Sequence, residues 1–515
     1  MLLNALKKAR CSSLIAVVLA MTIISCTDDD TVNKSPRSAA ENNEQATLDS
    51  IFLYAKEIYF WNEALPEYDE FAPRNYSSSS GEELKNLESA LFDITQYPIN
   101  PETGYPYEYL GPGITSPKYS YIEENSSSSS QLGYLAANKL EGEEEGYGFA
   151  LTAVGAEDIR MRYVTKGSPA YKKGIRRGDR LLAINGRNLS IKSQADIDFI
   201  NGAFNTDSFT ATITNADNET DDFNLSSSSF EISPIFKDTV IEATNTKIGY
   251  LAYYTFSSLT NSQEGLEAAF KKFASANVKD LIIDLRYNGG GYVTTATLLT
   301  NLIAPSRLNG KVMFVEHFNE TMKNGQATIL KNKIYKDGNG NKIPYNGRDL
   351  TYYDLDYSAA GNTTRFEKEG TLETVENVYF ITTNGTASSS ELVINSLKPY
   401  MNVTLIGTTS YGKPVGFFGI DIDKYTMYIS NFRTLNSKGE GDYFQGFEPD
   451  FKSDDDVTHD FGDPKEQSIS VAIDLATGNV PGFGRTSRES SFKPINIGKT
   501  PQFNGMIEKR INIKK

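Results

Sequence analysis

The stretch that decides the fold reads Val378-Tyr-Phe-Ile-Thr-Thr-Asn-Gly-Thr-Ala-Ser-Ser-Ser-Glu-Leu-Val393. Its β-branched and aromatic first half, Val378 to Thr383, is typical of a buried strand. A polar turn follows, and Thr386 or Ser388 can then cap a helix whose apolar side is Leu392, Val393 and Leu397. A serine on such a strand-to-helix turn exposes its hydroxyl beside free helix N–H groups, which can stabilise an oxyanion. The pattern therefore indicates a nucleophilic serine.

A serine nucleophile needs a general base, because its hydroxyl is almost never ionised at neutral pH. The chain has two histidines: His317 ends an apolar run and His459 lies in an acidic segment, so neither has a convincing catalytic context. Lys413 follows Gly412 in the second stretch, Leu405-Ile-Gly-Thr-Thr-Ser-Tyr-Gly-Lys-Pro-Val415. Apolar surroundings lower the pKa of a lysine toward neutrality and let it accept a proton. A Ser–Lys pair is a known variant of the catalytic triad.

These two stretches resemble the C-terminal processing peptidases, which are S41 serine peptidases with a Ser–Lys dyad. Their nucleophile motif, Ser-Ala-Ser-Ala-Ser-Glu, coincides with Thr386-Ala-Ser-Ser-Ser-Glu391. Their lysine ends a Gly-x-x-x-x-Gly-Lys segment, which is matched by Gly407 to Lys413. The resemblance implies that Ser388 is the nucleophile and Lys413 is the base.

One residue departs from the family pattern. Many relatives have a glutamine four residues after the lysine, and it helps to orient the amine; Phe417 stands at that position here. Phenylalanine cannot form a hydrogen bond with an amine. Either another group orients Lys413, or the protein is a catalytically impaired peptide-binding or scaffold lipoprotein that keeps the fold.

A second motif, Asp284-Leu-Arg-Tyr-Asn-Gly-Gly-Gly291, follows the apolar run Leu281 to Leu285. A glycine loop at the end of a strand can cradle phosphate, but this one lacks the Gly-Lys-Ser/Thr ending of a P-loop. It resembles the family's Asp-Leu-Arg-x-Asn-x-Gly-Gly motif, which implies that Gly290 or an adjacent glycine forms an oxyanion hole with the Ser389 N–H. Asp284 and Arg286 are expected to brace the loop.

A third group of motifs lies between residues 140 and 232. Gly167-Ser-Pro-Ala170 and Gly174-Ile-Arg-Arg-Gly-Asp179 resemble a PDZ domain, which adds an extended peptide to its sheet and binds the terminal carboxylate. The resemblance implies a carboxylate seat on the backbone of a glycine-rich loop, formed by Gly146, Tyr147, Gly148 and Phe149.

Composition excludes several classes of function. The net charge is −15 and the pI is near 4.9, which argues against a nucleic-acid-binding surface. Both cysteines lie within the first 26 residues, so a cysteine-rich metal cluster is not expected. We expect the chemistry to need neither a metal nor another cofactor.

The N-terminus is predicted to be a targeting segment. Basic residues precede the apolar run Leu14 to Ile24, which is too short to span a membrane comfortably. Ile23-Ile-Ser-Cys26 resembles a bacterial lipobox, so Cys26 would become the lipidated first residue. The acidic Asp28-Asp-Asp30 resembles the export signal of Bacteroidetes surface lipoproteins. The expected location is the cell envelope, as an outer-membrane lipoprotein.

The predicted fold is multidomain α/β: a small helical N-terminal domain, a β-rich PDZ-like domain and an α/β catalytic domain of the ClpP/crotonase-like type. The predicted boundaries are 1–26 for the signal peptide, 27–45 for a tether, 46–125 for the helical domain, 140–232 for the PDZ domain and 240–480 for the catalytic domain, with an insertion at 319–375 and an unassigned tail at 481–515.

The function that the resemblance implies is a cell-envelope serine endopeptidase that cleaves proteins or peptides and whose PDZ domain binds substrate C-termini. Its expected partners are polypeptide substrates and a membrane, through the lipid anchor. The scaffold described above is the main alternative. A hydrolase of non-peptide esters or polysaccharides is disfavoured, because a PDZ-like domain implies a polypeptide ligand.

Overall fold

The computed structural model describes residues 39–78, 82–125, 140–244, 246–337, 340–479, 495–497, 505–508 and 512–514. The predicted signal peptide, Cys26 and the acidic residues after it lie outside the described residues.

The N-terminal part is mainly helical. Its elements are α1 (Ala39–Ile58), α2 (Tyr68–Phe71), α3 (Glu83–Gln96) and β1 (Tyr121–Glu124). Helix α1 begins before Ala46, so residues 39–45 are helical rather than part of the predicted tether. Alanine, glutamate and glutamine are strong helix formers, and Glu44 and Gln45 are already buried, which explains the earlier start.

The PDZ-like part has a main β-sheet, a separate two-stranded sheet and two helices. Its elements are β2 (Glu143–Gly146), β3 (Phe149–Gly155), β4 (Asp158–Val164), α4 (Pro169–Lys172), β5 (Arg180–Ile184), β6 (Arg187–Asn188), α5 (Gln194–Phe204), β7 (Ser208–Thr214), β8 (Thr220–Ser226) and β9 (Ser228–Glu231). The sheet has its own apolar core, which includes Leu151, Met161, Leu181 and Ile213.

The catalytic-type part begins with β10 (Ile235–Glu242), β11 (Lys247–Tyr253), α6 (Leu259–Ala276), β12 (Asp280–Asp284), β13 (Gly290–Tyr292) and α7 (Val293–Ile303). The region that includes the predicted insertion contains β14 (Val312–Phe318), α8 (Glu320–Lys323), β15 (Pro344–Tyr345), β16 (Arg348–Asp349) and β17 (Thr363–Arg365).

The remaining elements are β18 (Asn377–Thr382), α9 (Ser389–Leu397), β19 (Asn402–Gly407), β20 (Val415–Gly416), β21 (Ile420–Ile422), β22 (Tyr425–Tyr428), β23 (Phe432–Asn436), β24 (Phe451–Lys452), α10 (Gln467–Ala476), β25 (Ile495–Ile497) and β26 (Gly505–Ile507). The strand predicted from Val378 is β18.

A six-stranded sheet positions the site. Its order is β10-β11-β12-β18-β19-β24, and β11 through β24 run parallel. Every residue of β12 is buried, as expected for a parallel strand covered on both faces. Since the carboxyl ends of parallel strands meet at one edge, the loops after β12, β18 and β19 converge there.

The N-terminal helices share one apolar core with the catalytic sheet. Ile51 of α1 and Leu87 of α3 belong to the same buried cluster as Phe270 and Phe380. Strand β1 also pairs antiparallel with β22, which places residues just before β1 near the converging loops.

Among the described residues, no helix combines the length and the apolar character needed to cross a bilayer.

Candidate active site

Ser388 is held in an unusual backbone conformation between β18 and α9. Its φ is 59° and its ψ is −109°, which non-glycine residues rarely adopt. Such strain persists only where the surroundings fix it, and it is common at functional sites. Ser388 is fully buried, and its Oγ has no hydrogen-bond partner among the described residues. The strand-to-helix turn forms where the sequence predicted it, but the prediction of an exposed hydroxyl is wrong, because the chain around Ser388 covers it completely.

The Glu391 carboxylate joins this turn to the loop that carries the lysine. Its Oε2 accepts hydrogen bonds from the backbone N–H groups of Ser388 (2.9 Å) and Lys413 (2.8 Å). Its Oε1 accepts from Ser410 Oγ (2.6 Å) and Gly412 N (2.7 Å). Because one oxygen atom binds both backbone nitrogens, the two predicted dyad residues lie close together.

The Lys413 amine lies in an apolar, fully buried environment. Its Nζ donates to the backbone carbonyl of Tyr119 at 3.2 Å. Burial lowers the pKa of Lys413 to about 7, although the Glu108 and Glu391 carboxylates act in the opposite direction. A lysine with this pKa can accept a proton near neutral pH.

Phe417 contacts the amine through its ring. Lys413 Nζ lies 4.3 Å from the centroid of the Phe417 ring and 5.7 Å from that of Tyr119. A cation is attracted to the face of an aromatic ring. At the position where the family resemblance led us to expect glutamine, this chain places a ring face beside the amine, which also donates to a main-chain carbonyl.

Sequence reasoning missed Glu108, which is fully buried beside this site. Its Oε2 accepts from the N–H groups of Tyr119 (3.1 Å) and Ser120 (2.8 Å), and its Oε1 accepts from Ser120 Oγ (2.8 Å), Tyr59 Oη (3.1 Å) and Ser430 Oγ (3.2 Å). Burial raises the pKa of Glu108, and the Ser120 and Tyr119 donors oppose that effect. Glu108 thereby fixes the segment whose carbonyl holds Lys413. The sequence hints at this role only by placing one acidic residue, Glu108, between Tyr107 and Tyr109.

The glycine loop lies directly against Ser388. Gly290 has a φ of 105°, and a Cβ added there would lie 3.0 Å from Ser388 Cβ, so a side chain would crowd Ser388. The Gly290 N–H donates to Asn288 Oδ1 at 2.9 Å. Gly290 thus lies beside Ser388, and its N–H takes part in a bond that must open, or be shared, if this group is to bind an oxyanion.

Asp284 and Arg286 brace this loop, as predicted. Arg286 is buried and donates from Nε to Asp284 Oδ1 (2.9 Å) and from Nη1 to Glu466 Oε1 (2.7 Å) and Asp455 Oδ1 (2.9 Å). Arg177 of the PDZ-like part reaches the same Asp455 oxygen through Nη2 at 2.7 Å. The two parts are therefore connected through buried ion pairs behind the glycine loop.

The predicted carboxylate seat lies at the start of β3. Gly146 and Gly148 have φ values of 142° and 78°, which turn the loop backbone. The Tyr147 side chain is buried in the PDZ-like core, where it packs against Phe209. Only the backbone of this loop is therefore available to bind a carboxylate.

The two histidines belong to other structures. His317 is in β14, opposite Arg433, and His459 Nδ1 lies 2.7 Å from Asp456 Oδ2. Within the described parts of the chain, no group of three or more His, Cys, Asp or Glu side chains could hold a metal ion.

Comparison with known proteins finds two matching families. Residues 247–453 match peptidase family S41, and residues 160–201 match a PDZ domain. Over 291 residues the chain is 24% identical to the carboxy-terminal processing protease CtpA of Bacillus subtilis, covering 56% of this chain and 52% of the relative. Over 400 residues it is 24% identical to a CtpA-like serine protease of Staphylococcus aureus, covering 73% and 67%. The chain thus spans about half the length of the first relative.

A solved S41 protease structure from Bacteroides fragilis shares the fold. Its TM-score is 0.54 at 21% identity, and the match covers 83% of this chain and 97% of that one.

Proposed function

We propose that this chain, which belongs to the S41 serine-type peptidases and carries a PDZ domain, is an endopeptidase with Ser388 and Lys413 as its catalytic dyad. One observation carries the proposal. Lys413 is fully buried and its pKa is lowered to about 7, and the Glu391 carboxylate binds its backbone N–H together with that of the strained Ser388.

In the proposed reaction, neutral Lys413 takes the proton of Ser388 Oγ as the oxygen forms a bond to the scissile carbonyl carbon. The Ser389 and Gly290 N–H groups hold the oxyanion. The C–N bond then breaks, and the lysine proton passes to the leaving amine. Water next attacks the acyl ester, which releases the carboxylic acid and restores the serine hydroxyl.

The PDZ domain would bind the C-terminus of a polypeptide substrate, with the carboxylate on the backbone of residues 146–149. Lipidation of Cys26 would place the enzyme in the cell envelope, at the outer membrane. These assignments depend on the family resemblance and on the lipobox-like motif.

A peptide-binding scaffold is the second candidate. It is favoured by one observation: Lys413 Nζ donates to the Tyr119 carbonyl, whereas Ser388 Oγ has no hydrogen-bond partner among the described residues. Catalysis requires a hydrogen bond from Ser388 Oγ to the amine, which the described part of this structure does not contain, whereas a scaffold needs no such bond.

Covalent labelling separates the two candidates. A fluorophosphonate probe should label the wild type at Ser388 and should fail on Ser388→Ala and Lys413→Ala, while the exposed-site controls Ser275→Ala and Lys438→Ala label normally. In parallel, the wild type should degrade an unfolded protein and Ser388→Ala should not. If the chain binds peptides but neither labels nor cleaves, both at full length and when it ends at Asn479, it is a scaffold.

A further inference from the structure

The C-terminal tail lies in both peptide-binding sites of its own chain. Its first described piece, β25, pairs antiparallel with β3 at the edge of the PDZ sheet, with Ile497 opposite Leu151 and Ile495 opposite Ala153. Helix α5 lies beside it. Strand β3 begins at Phe149, the last residue of the predicted carboxylate seat. Strand addition at this edge is how a PDZ domain takes a peptide.

The second described piece, β26, enters the catalytic cleft. It pairs parallel with β13, the glycine strand, with Gly505 opposite Gly290. The Gly505 N–H donates to the Gly289 carbonyl at 3.1 Å. A Cβ added at Gly290 would lie 2.4 Å from the Gly505 carbonyl oxygen and 3.0 Å from Ser388 Cβ. The tail backbone therefore passes directly beside the nucleophile.

On its other side, β26 is bound to the segment that follows the lysine. The Phe417 N–H donates to the Met506 carbonyl at 3.1 Å, and the Met506 side chain is fully buried. The tail thus forms a strand between the glycine loop and Phe417, the residue whose ring touches the Lys413 amine. These are main-chain bonds, which an extended substrate of almost any sequence could make in the same place.

The tail is also anchored beyond the cleft. The N–H of Asp356 donates to the Asn512 carbonyl at 2.6 Å, and the N–H of Lys514 donates to the Asp354 carbonyl at 3.0 Å. Both contacts are in the region predicted as an insertion over the cleft. The segment across the active site is therefore fixed on each side, so it competes at the high effective concentration of an intramolecular ligand.

We propose that the tail is an internal competitive inhibitor, which occupies the PDZ groove and the catalytic cleft and must leave before a polypeptide substrate binds. This inference rests on the proposed function of the same cleft. It also defines the substrate path: an extended chain parallel to β13, passing between Gly290 and Phe417.

Two variants test the proposal. Met506→Asp places a charge in a buried site and should release β26, whereas the matched control Met506→Leu keeps the apolar contact. A chain ending at Asn479 removes the tail altogether. With a fluorogenic peptide substrate, Met506→Asp and the truncated chain should show a KM lowered by about tenfold or more at unchanged kcat, and Met506→Leu should behave as wild type. An unchanged KM in both active variants would overturn the proposal.

A binding measurement keeps this test independent of catalysis. In the Ser388→Ala background, a fluorescent peptide of residues 493–515 should bind the truncated chain and not the full chain, and failure to bind either one would overturn the proposal. If the truncated chain binds the peptide but no variant labels or cleaves, the proposed enzyme fails while the tail site stands. Loss of the tail from the wild type, but not from Ser388→Ala, would identify it as a self-cleaved product rather than a lasting inhibitor.

Discussion

At the scale of single residues, burial gives the lysine its chemistry. An exposed lysine is protonated at neutral pH, whereas Lys413 is removed from water and its pKa falls to about 7. Two carboxylates oppose this effect without cancelling it. Phe417 contributes to the apolar surroundings, so its replacement of glutamine is consistent with a working base.

The first prediction concerns pH. Since the base must be neutral, kcat/KM should fall about tenfold for each pH unit below about 7 and level off above that value. The measurement is a profile of kcat/KM from pH 5 to 9 at constant ionic strength. A flat profile through this range would contradict the role of Lys413.

The second prediction separates the catalytic from the structural role of the same residue. Lys413→Met keeps an unbranched side chain of similar length and removes the amine, whose burial away from water costs free energy. Activity should fall by about 10³-fold or more, while the free energy of unfolding should change by no more than about 1–3 kcal/mol, because removal of a buried amine offsets the lost hydrogen bond to the Tyr119 carbonyl. Kinetics and chemical denaturation measured on one preparation test both parts, and a large loss of stability would contradict this assignment.

At the scale of elements, α9 is the part that assembles the site. Its first turn carries Glu391, whose four acceptor bonds join the nucleophile turn to the lysine loop. Burial raises the pKa of Glu391, and those donors act against that effect. The parallel strands bring the loops to one edge, and this carboxylate then fixes their mutual distance.

The third prediction tests that connection. Glu391→Gln replaces one acceptor oxygen by an NH₂ group, which cannot accept the bonds that the carboxylate accepts. We expect a loss of about 2–4 kcal/mol in the free energy of unfolding and a large loss of kcat. Glu448→Gln is the matched control at an exposed position and should change stability by less than about 0.5 kcal/mol. Equal stability of the two variants would contradict the role of Glu391.

At the scale of the whole molecule, residues distant in sequence complete the site. The N-terminal part supplies Tyr119 and Glu108, and the PDZ domain contributes Arg177 to the ion pairs behind the glycine loop. The Tyr119 and Ser120 N–H groups can only donate, and they favour the ionised form of Glu108 against the effect of burial, which raises its pKa. Its charge favours the protonated form of Lys413.

The fourth prediction follows from that charge. Glu108→Gln removes a negative charge that raises the pKa of Lys413, so the acid limb of the activity profile should move to lower pH, by up to about one unit. The free energy of unfolding should also fall by about 1–3 kcal/mol, because buried donors lose their acceptor. Glu102 is exposed, so Glu102→Gln is the control and should leave the acid limb of the activity profile at the same pH. A limb that moves to higher pH would contradict the electrostatic effect.

The sequence by itself determined the local structure and the identity of the chemical groups. The strand from Val378, the serine turn and the glycine loop follow from residue pattern, because short-range sterics and apolar spacing decide them. The motifs also indicated the two families that match parts of the chain, peptidase family S41 over residues 247–453 and a PDZ domain over residues 160–201.

Only the tertiary structure decided what surrounds those groups. The Tyr119 carbonyl and Glu108 lie hundreds of residues from Lys413 in the chain, so no motif spacing could reveal them. The position of the tail beside Ser388 likewise depends on packing between distant segments. A pKa and an occupied cleft are properties of the folded environment, since burial and contact exist only after the chain has been brought together.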